Sequence, residues 1–212
     1  MNRQEIKQEA KAKIKGNLWN ILWPLLVIGV LEGLLTTIFG GNIDVSNLEN
    51  VNIPTSYYVA TTIIGIVFGI VNACYIKYLI NFVRTGKFET NDIINTFKEK
   101  WVNILIATIL VTIIVTACTL LFVVPGIIMA LAYTFVTYLV VDTDVSGSDA
   151  LSKSREMMKG YKWDYFVFVL SFIGWYLLVP FTAGILLVWL IPYMSIANVI
   201  YYDKLKELKK IK

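Results

Sequence analysis

The chain has no histidine, only two cysteines and little charge. Without histidine, the usual base for a serine or cysteine nucleophile and the commonest protein metal ligand are both missing. Cys74 and Cys118 cannot complete a zinc site alone. Helix rise places them about 14 and 25 Å above one membrane face, too far apart in depth for a disulfide, so both read as small apolar fillers. An intramembrane aspartyl protease would need two aspartates facing each other, yet Asp142, Asp164 and Asp203 all stand at the edges of apolar runs. No catalytic residue, cofactor or metal is expected, and the chain reads as a non-enzyme.

What fills the 212 residues instead is apolar: 57% hydrophobic against 16% charged, with a mean hydropathy of +0.67. A soluble domain has roughly 45–50% apolar and 25% charged residues. The composition therefore implies an all-α, polytopic membrane protein forming a single membrane domain over residues 1–212. Residues 18–40 are interrupted only by Glu32, residues 57–83 only by Lys77, and residues 101–124 carry no charge. A shorter run, 127–141, follows Pro125-Gly126, and residues 165–202 form a long run punctuated by Pro180 and Gly184. A span needs about 20 residues, so the last run reads as a hairpin and the total as six spans. The fourth has only 15 residues; these reach about 22 Å, so it must borrow residues 124–126 or thin the bilayer.

Charge placement supports that count. Five Lys/Arg precede the first span, four lie in 84–100, four in 153–162 and five in 204–212, while 41–56, 124–126 and 180–184 have none. Six spans put all four clusters on one side, and the positive-inside rule makes that side, with both termini, cytoplasmic. The basic leader is long and no small-x-small cleavage site follows the first apolar run, so that span is expected to be retained.

Three tryptophans organise the chain. Trp19, Trp101 and Trp163 each follow a short amphipathic segment, carrying Ile6, Ala10 and Ile14, then Ile93, Ile94 and Phe97, then Leu151, Ser154, Met157 and Met158. Each precedes two spans. The unit is thus a short cytoplasmic helix, a tryptophan anchor and a hairpin, giving three hairpins and pseudo-repeats over about 3–83, 90–141 and 148–203. In the third unit Ser148 is the expected N-cap, and Gly160 sits where a positive φ is wanted. Lysines beside the tryptophans suit anionic headgroups on the cytoplasmic side, at about 1 kcal/mol each, and the indoles suit the interface.

The segment ALSKSREMMKGYKWDYFVFVLSFIGWYLLVPFTAGILLVWLIPYMSIANVIYYD, with PGIIMALAYTFVTYLVVD and IKGNLW, resembles the bacterial integral-membrane family called domain of unknown function 975. The likeness spans nearly the whole chain and is most specific at residues 154–163, at LSFIGW and at Pro192-Tyr193. It implies a multi-pass protein of the bacterial plasma membrane, mostly in Gram-positive bacteria, and brings no reaction, cofactor or substrate. The segment between the first two spans departs most from the family pattern.

Two polar groups stand out as candidate sites. Asp142 and Asp203 end spans where the helix dipole disfavours negative charge, and Arg155, Lys159 and Lys162 are available at the same level. They form either an ion-pair collar or a site for a lipid headgroup or small charged solute; Arg155 is expected to pair with Asp142 or Asp203, or to hold an anionic headgroup against them. Within the membrane, Glu32 and Lys77 are the deep ionisable residues. Rise places Glu32 about 21 Å up, Asn72 about 16 Å and Lys77 about 9 Å. Asn72 is therefore the better partner for Glu32, while Lys77 snorkels to the near interface. Glu32 is either hydrogen-bonded and protonated or a coupling site in a cavity.

Three functions fit. The first is a non-enzymatic protein binding lipid or a membrane-active peptide, with immunity or stress protection as its role. The second is a small transporter or channel subunit, and the third an assembly partner of another membrane protein. No nucleic-acid partner is expected.

Overall fold

The computed structural model describes residues 1–40 and 55–211. Residues 41–54, the bulk of the expected outer loop, lie outside the described residues. Every regular element among the described residues is helical: α1 (Arg3–Ile14), α2 (Leu18–Gly40), α3 (Thr55–Thr85), α4 (Asn91–Leu121), α5 (Val123–Ala132), α6 (Val136–Asp142), α7 (Gly147–Met157), α8 (Lys162–Leu170), α9 (Ile173–Leu178) and α10 (Leu187–Lys209). Among the described residues four segments are long and apolar enough to cross a membrane: Leu18–Phe39, Thr55–Thr85, Asn91–Leu121 and Val123–Asp142. The fourth runs through α5 and α6 with a turn at 133–135 between them.

The turn into that fourth segment comes earlier than Pro125-Gly126. Phe122 is the extended residue (φ −156°, ψ 137°), and α5 already begins at Val123. Proline is tolerated in a first helical turn because its missing N–H has no intrahelical partner there. Gly126 then lies directly against Thr119, so α4 and α5 meet almost backbone to backbone.

The first and third amphipathic segments pack more deeply than surface helices would. Ile6, Ala10 and Ile14 of α1 are buried, as are Leu151, Ser154, Met157 and Met158 in and after α7. α1 lies along α10. Lys204 holds Glu5 at 3.1 Å and Glu9 at 3.2 Å, and Lys7 donates to the Ser171 carbonyl at 3.2 Å while its ammonium sits 4.4 Å from the Phe172 ring centre. Burial, with Lys11 and Arg3 nearby, pulls the Lys7 ammonium below its ordinary pKa.

α7 packs on α4 and α6. A Cβ at Gly147 would lie 2.4 Å from the Asn103 carbonyl oxygen, so the start of α7 touches the α4 backbone. Buried Ser154 donates to the Ala132 carbonyl at 2.9 Å, supplying a partner where α5 ends. The cap of α7 is Ser146 rather than Ser148: its Oγ accepts from the Asp149 amide at 3.1 Å and donates to the Asp149 carboxylate at 2.8 Å. Ser146 and Asp149 have the three-residue spacing of a capping box.

The expected second short helix does not exist as a separate element. Residues 91–100 are the first turns of α4, which continues unbroken past Trp101. Gly16 and Gly160, each following a lysine, adopt φ of 83° and 87° and turn the chain before Trp19 and Trp163. The middle copy reads Glu99-Lys100-Trp101. With no residue there that favours left-handed φ, nothing interrupts the helix.

Packing is densest at one end. The buried residues of α3 run from Phe68 to Val83 and those of α10 from Leu190 to Leu205. Toward the other end Leu34, Ile38, Ile63, Ile113 and Leu120 are exposed. An apolar surface of this extent marks contact with lipid or another apolar partner.

Candidate functional site

The helices α3, α6 and α10 converge at the densely packed end. Rings of Phe135 and Tyr138 on one side and Tyr201 and Tyr202 on the other fill the space between α6 and α10, with centroids 5.3 to 6.0 Å apart. At their tips lies an ionic centre. Arg84 Nη1 and Nη2 reach the two oxygens of Asp142 at 2.5 and 2.9 Å, and its Nη2 and Nε reach Asp203 Oδ1 at 2.5 and 3.2 Å. Lys206 adds a bond to Asp142 Oδ2 at 2.6 Å, Tyr202 donates to the same oxygen at 3.0 Å, and Lys77 stands 3.8 Å from Oδ1.

The Asp142 side chain is 1% exposed. A carboxylate so placed loses several kcal/mol of hydration, which only close, multiple hydrogen bonds offset. It also sits at the unfavourable end of the α6 dipole, where Arg84, Lys206 and Lys77 neutralise it. The centre therefore works as a clasp tying the ends of α3 and α6 to α10.

This corrects the expected pairing. Asp142 and Asp203 do come together, but around Arg84; among the described residues Arg155 pairs with neither. A signal for Arg84 was present in the sequence. Val83-Arg84-Thr85, Val141-Asp142-Thr143 and Tyr202-Asp203-Lys204 all close an apolar run at its last turn, so the three ionisable residues occupy matching places.

Arg155, Lys159 and Lys162 line a different feature, an open cleft of about 840 Å³ shared with Ser152, Glu156, Gly160 and Trp163. Buried Met157 and Met158 pin the link between α7 and α8. The left-handed turn at Gly160 then directs the chain into α8. Lys209, from the end of α10, donates to the Lys159 carbonyl at 3.0 Å and lies 5.3 Å from the Tyr161 ring centre. Trp163 in the cleft lining is 74% exposed and lies tilted against Phe166, with ring centres 5.3 Å apart. Among the described residues no ion pair engages Arg155, Lys159 or Lys162, and Glu156 is the one carboxylate in the cleft lining.

Protein of unknown function (DUF975) is the family whose model matches the sequence, over residues 1–128 and 112–209. The chain belongs to that family. No curated protein and no solved structure matches it.

The remaining candidates in this DUF975 chain are dispersed. Asn72 donates to the Phe68 carbonyl of its own helix at 2.9 Å, and among the described residues no hydrogen bond joins it to half-buried Glu32. Lys77 turns toward Asp142, at the clasp. Trp19 and Trp101, like Trp163, are exposed. Cys74 and Cys118 are free thiols.

Proposed function

We propose that this protein is a non-enzymatic, multi-pass protein of the bacterial plasma membrane that binds anionic lipid headgroups at the cleft around Arg155, Lys159, Lys162 and Trp163. One observation carries the reading: three cations without ion pairs among the described residues face one carboxylate in an open cleft whose lining includes an exposed indole. Arg155 offers a planar fork for a phosphate, the two lysines add point charges, and Trp163 suits the zone where headgroups meet acyl chains. The clasp at Asp142 contrasts with it, since its cations are already engaged.

In this reading α2, α3, α4, the α5–α6 pair, the α8–α9 pair and α10 make six crossings, with both termini cytoplasmic. Three units arise from the pattern that α1 packs on α10, the first turns of α4 on α3, and α7 on α6. Arg84, Asp142 and Asp203 then close the three returning spans. A membrane-active peptide that carries acidic groups would meet the same cleft, and an immunity role would follow from it.

Lipids retained by the detergent-purified protein test the proposal. Anionic phospholipid should be enriched over the bulk membrane on the native chain. The enrichment should drop on Arg155→Ala/Lys159→Ala/Lys162→Ala. Equal retention by the two proteins would overturn the lipid assignment.

A further inference from the structure

The first two turns of α4 leave an apolar groove against α2 and α3. Trp23, Pro24, Val27 and Ile28 form one wall, Val71 and Cys74 the floor, and Ile93, Ile94 and Phe97 the other wall. Two contiguous hollows share Val71, Ile93 and Ile94 and measure about 300 and 180 Å³. Their surface is wholly apolar. Val27, Ile94 and Phe97 are exposed beside it, so the groove opens sideways. Lys98 borders the larger hollow, contributing its methylenes, and among the described residues no ion pair engages its ammonium.

We propose that this groove is a second lipid site, in which an acyl chain of an anionic phospholipid lies between α2, α3 and α4 while Lys98 meets its phosphate. The proposal rests on the membrane reading given above. All three walls belong to helices long and apolar enough to cross a membrane, and in the membrane reading the groove opens to lipid near the cytoplasmic interface, where Lys98 belongs to the basic cluster of residues 84–100. An acyl chain matches an apolar channel that side chains do not fill, and a lysine stem along apolar surface can carry its charge to a headgroup. The site is independent of the Arg155 cleft, which lies at the junction of α7 and α8.

Photoactivatable phospholipids with a reactive group on the acyl chain test this in nanodiscs, with labelled residues mapped by mass spectrometry. Labelling should concentrate on residues 71–74 and 93–98 relative to Ile113, an exposed apolar residue elsewhere on α4. It should fall with Ile94→Trp, which fills the groove from an exposed position, and with Val71→Trp. Lys98→Gln should remove about fivefold of the preference for anionic over zwitterionic lipid. Labelling spread evenly over the apolar surface and indifferent to Ile94→Trp would overturn the groove while leaving the membrane reading intact. Absence of lipid labelling anywhere would overturn both. Disulfide-linked dimers through Phe97→Cys, formed with the groove free of lipid label, would assign the face to a second copy instead.

Discussion

The guanidinium of Arg84 holds both carboxylate oxygens of Asp142, at 2.5 and 2.9 Å, across 58 residues of chain. The same group reaches Asp203, 119 residues away. One side chain thus ties the ends of α3 and α6 to α10. Removing it leaves two carboxylates facing each other, with Lys206 and Lys77 as the remaining cations among the described residues. Arg84→Ala should lower unfolding stability in detergent by about 2 kcal/mol, less than for breaking a fully buried pair from one side because the Arg84 side chain is 38% exposed. Arg84→Lys, which keeps the charge but loses the fork, should fall between. Arg155→Ala and Arg155→Lys should stay within about 0.5 kcal/mol of the native chain, as exposed substitutions do.

Ser154 gives a second prediction. Its buried hydroxyl bonds the Ala132 carbonyl at the end of α5. Ser154→Ala should cost about 1–3 kcal/mol, because a buried carbonyl loses its side-chain partner. A change below about 0.3 kcal/mol, small against that cost, would mean the carbonyl is satisfied some other way.

The glycines should separate by mechanism. Gly160→Ala strains a left-handed residue and should cost about 1–2 kcal/mol. Gly147→Ala introduces a Cβ 2.4 Å from the Asn103 carbonyl oxygen and 2.9 Å from the Ala107 amide nitrogen. Backbone cannot yield as a side-chain tip does, so α7 must move off α4 and the loss in thermal unfolding should be larger. Equal melting shifts for the two variants would contradict the close approach.

Much of this architecture is legible in the sequence because burial follows helical periodicity. Ile6, Ala10 and Ile14 stand at four-residue spacing and are buried together; Leu151, Ser154 and Met157 repeat at three residues with the same result. Gly160 turns as its place beyond a helix end suggests. What local pattern does not convey is how far a helix runs and who meets whom across the bundle. The apolar face of 93–97 looked like a separate helix, yet with no breaker before Trp101 it fused with α4. Arg84 is one of four cations in the basic cluster of residues 84–100, and nothing local sets it apart from Lys87, Lys98 and Lys100. Its partners are 58 and 119 residues away, and only superposing the ends of the three apolar runs reveals the match.

The proposed orientation makes a prediction of its own. In a background with Cys74 and Cys118 replaced by alanine, Lys209→Cys should be protected from a membrane-impermeant thiol reagent in intact cells. Phe181→Cys, at a residue 86% exposed beside the turn between α9 and α10, should react. The reverse pattern would invert the protein in the membrane. Reaction or protection of both would place the two ends of α10 on one side and remove the sixth crossing.

Binding of defined lipids to the cleft bears most directly on the proposed function. In nanodiscs of zwitterionic phospholipid, increasing fractions of phosphatidylglycerol can be titrated while lipid-bound states are counted by native mass spectrometry. The native chain should show saturable binding. Arg155→Ala/Lys159→Ala should weaken it by about tenfold or more, since each interfacial cation is worth about 1 kcal/mol. Arg155→Lys should weaken it less, as charge survives and the fork does not. Identical titration curves for the native and doubly substituted chains, with both folded, would contradict a lipid-binding cleft between α7 and α8.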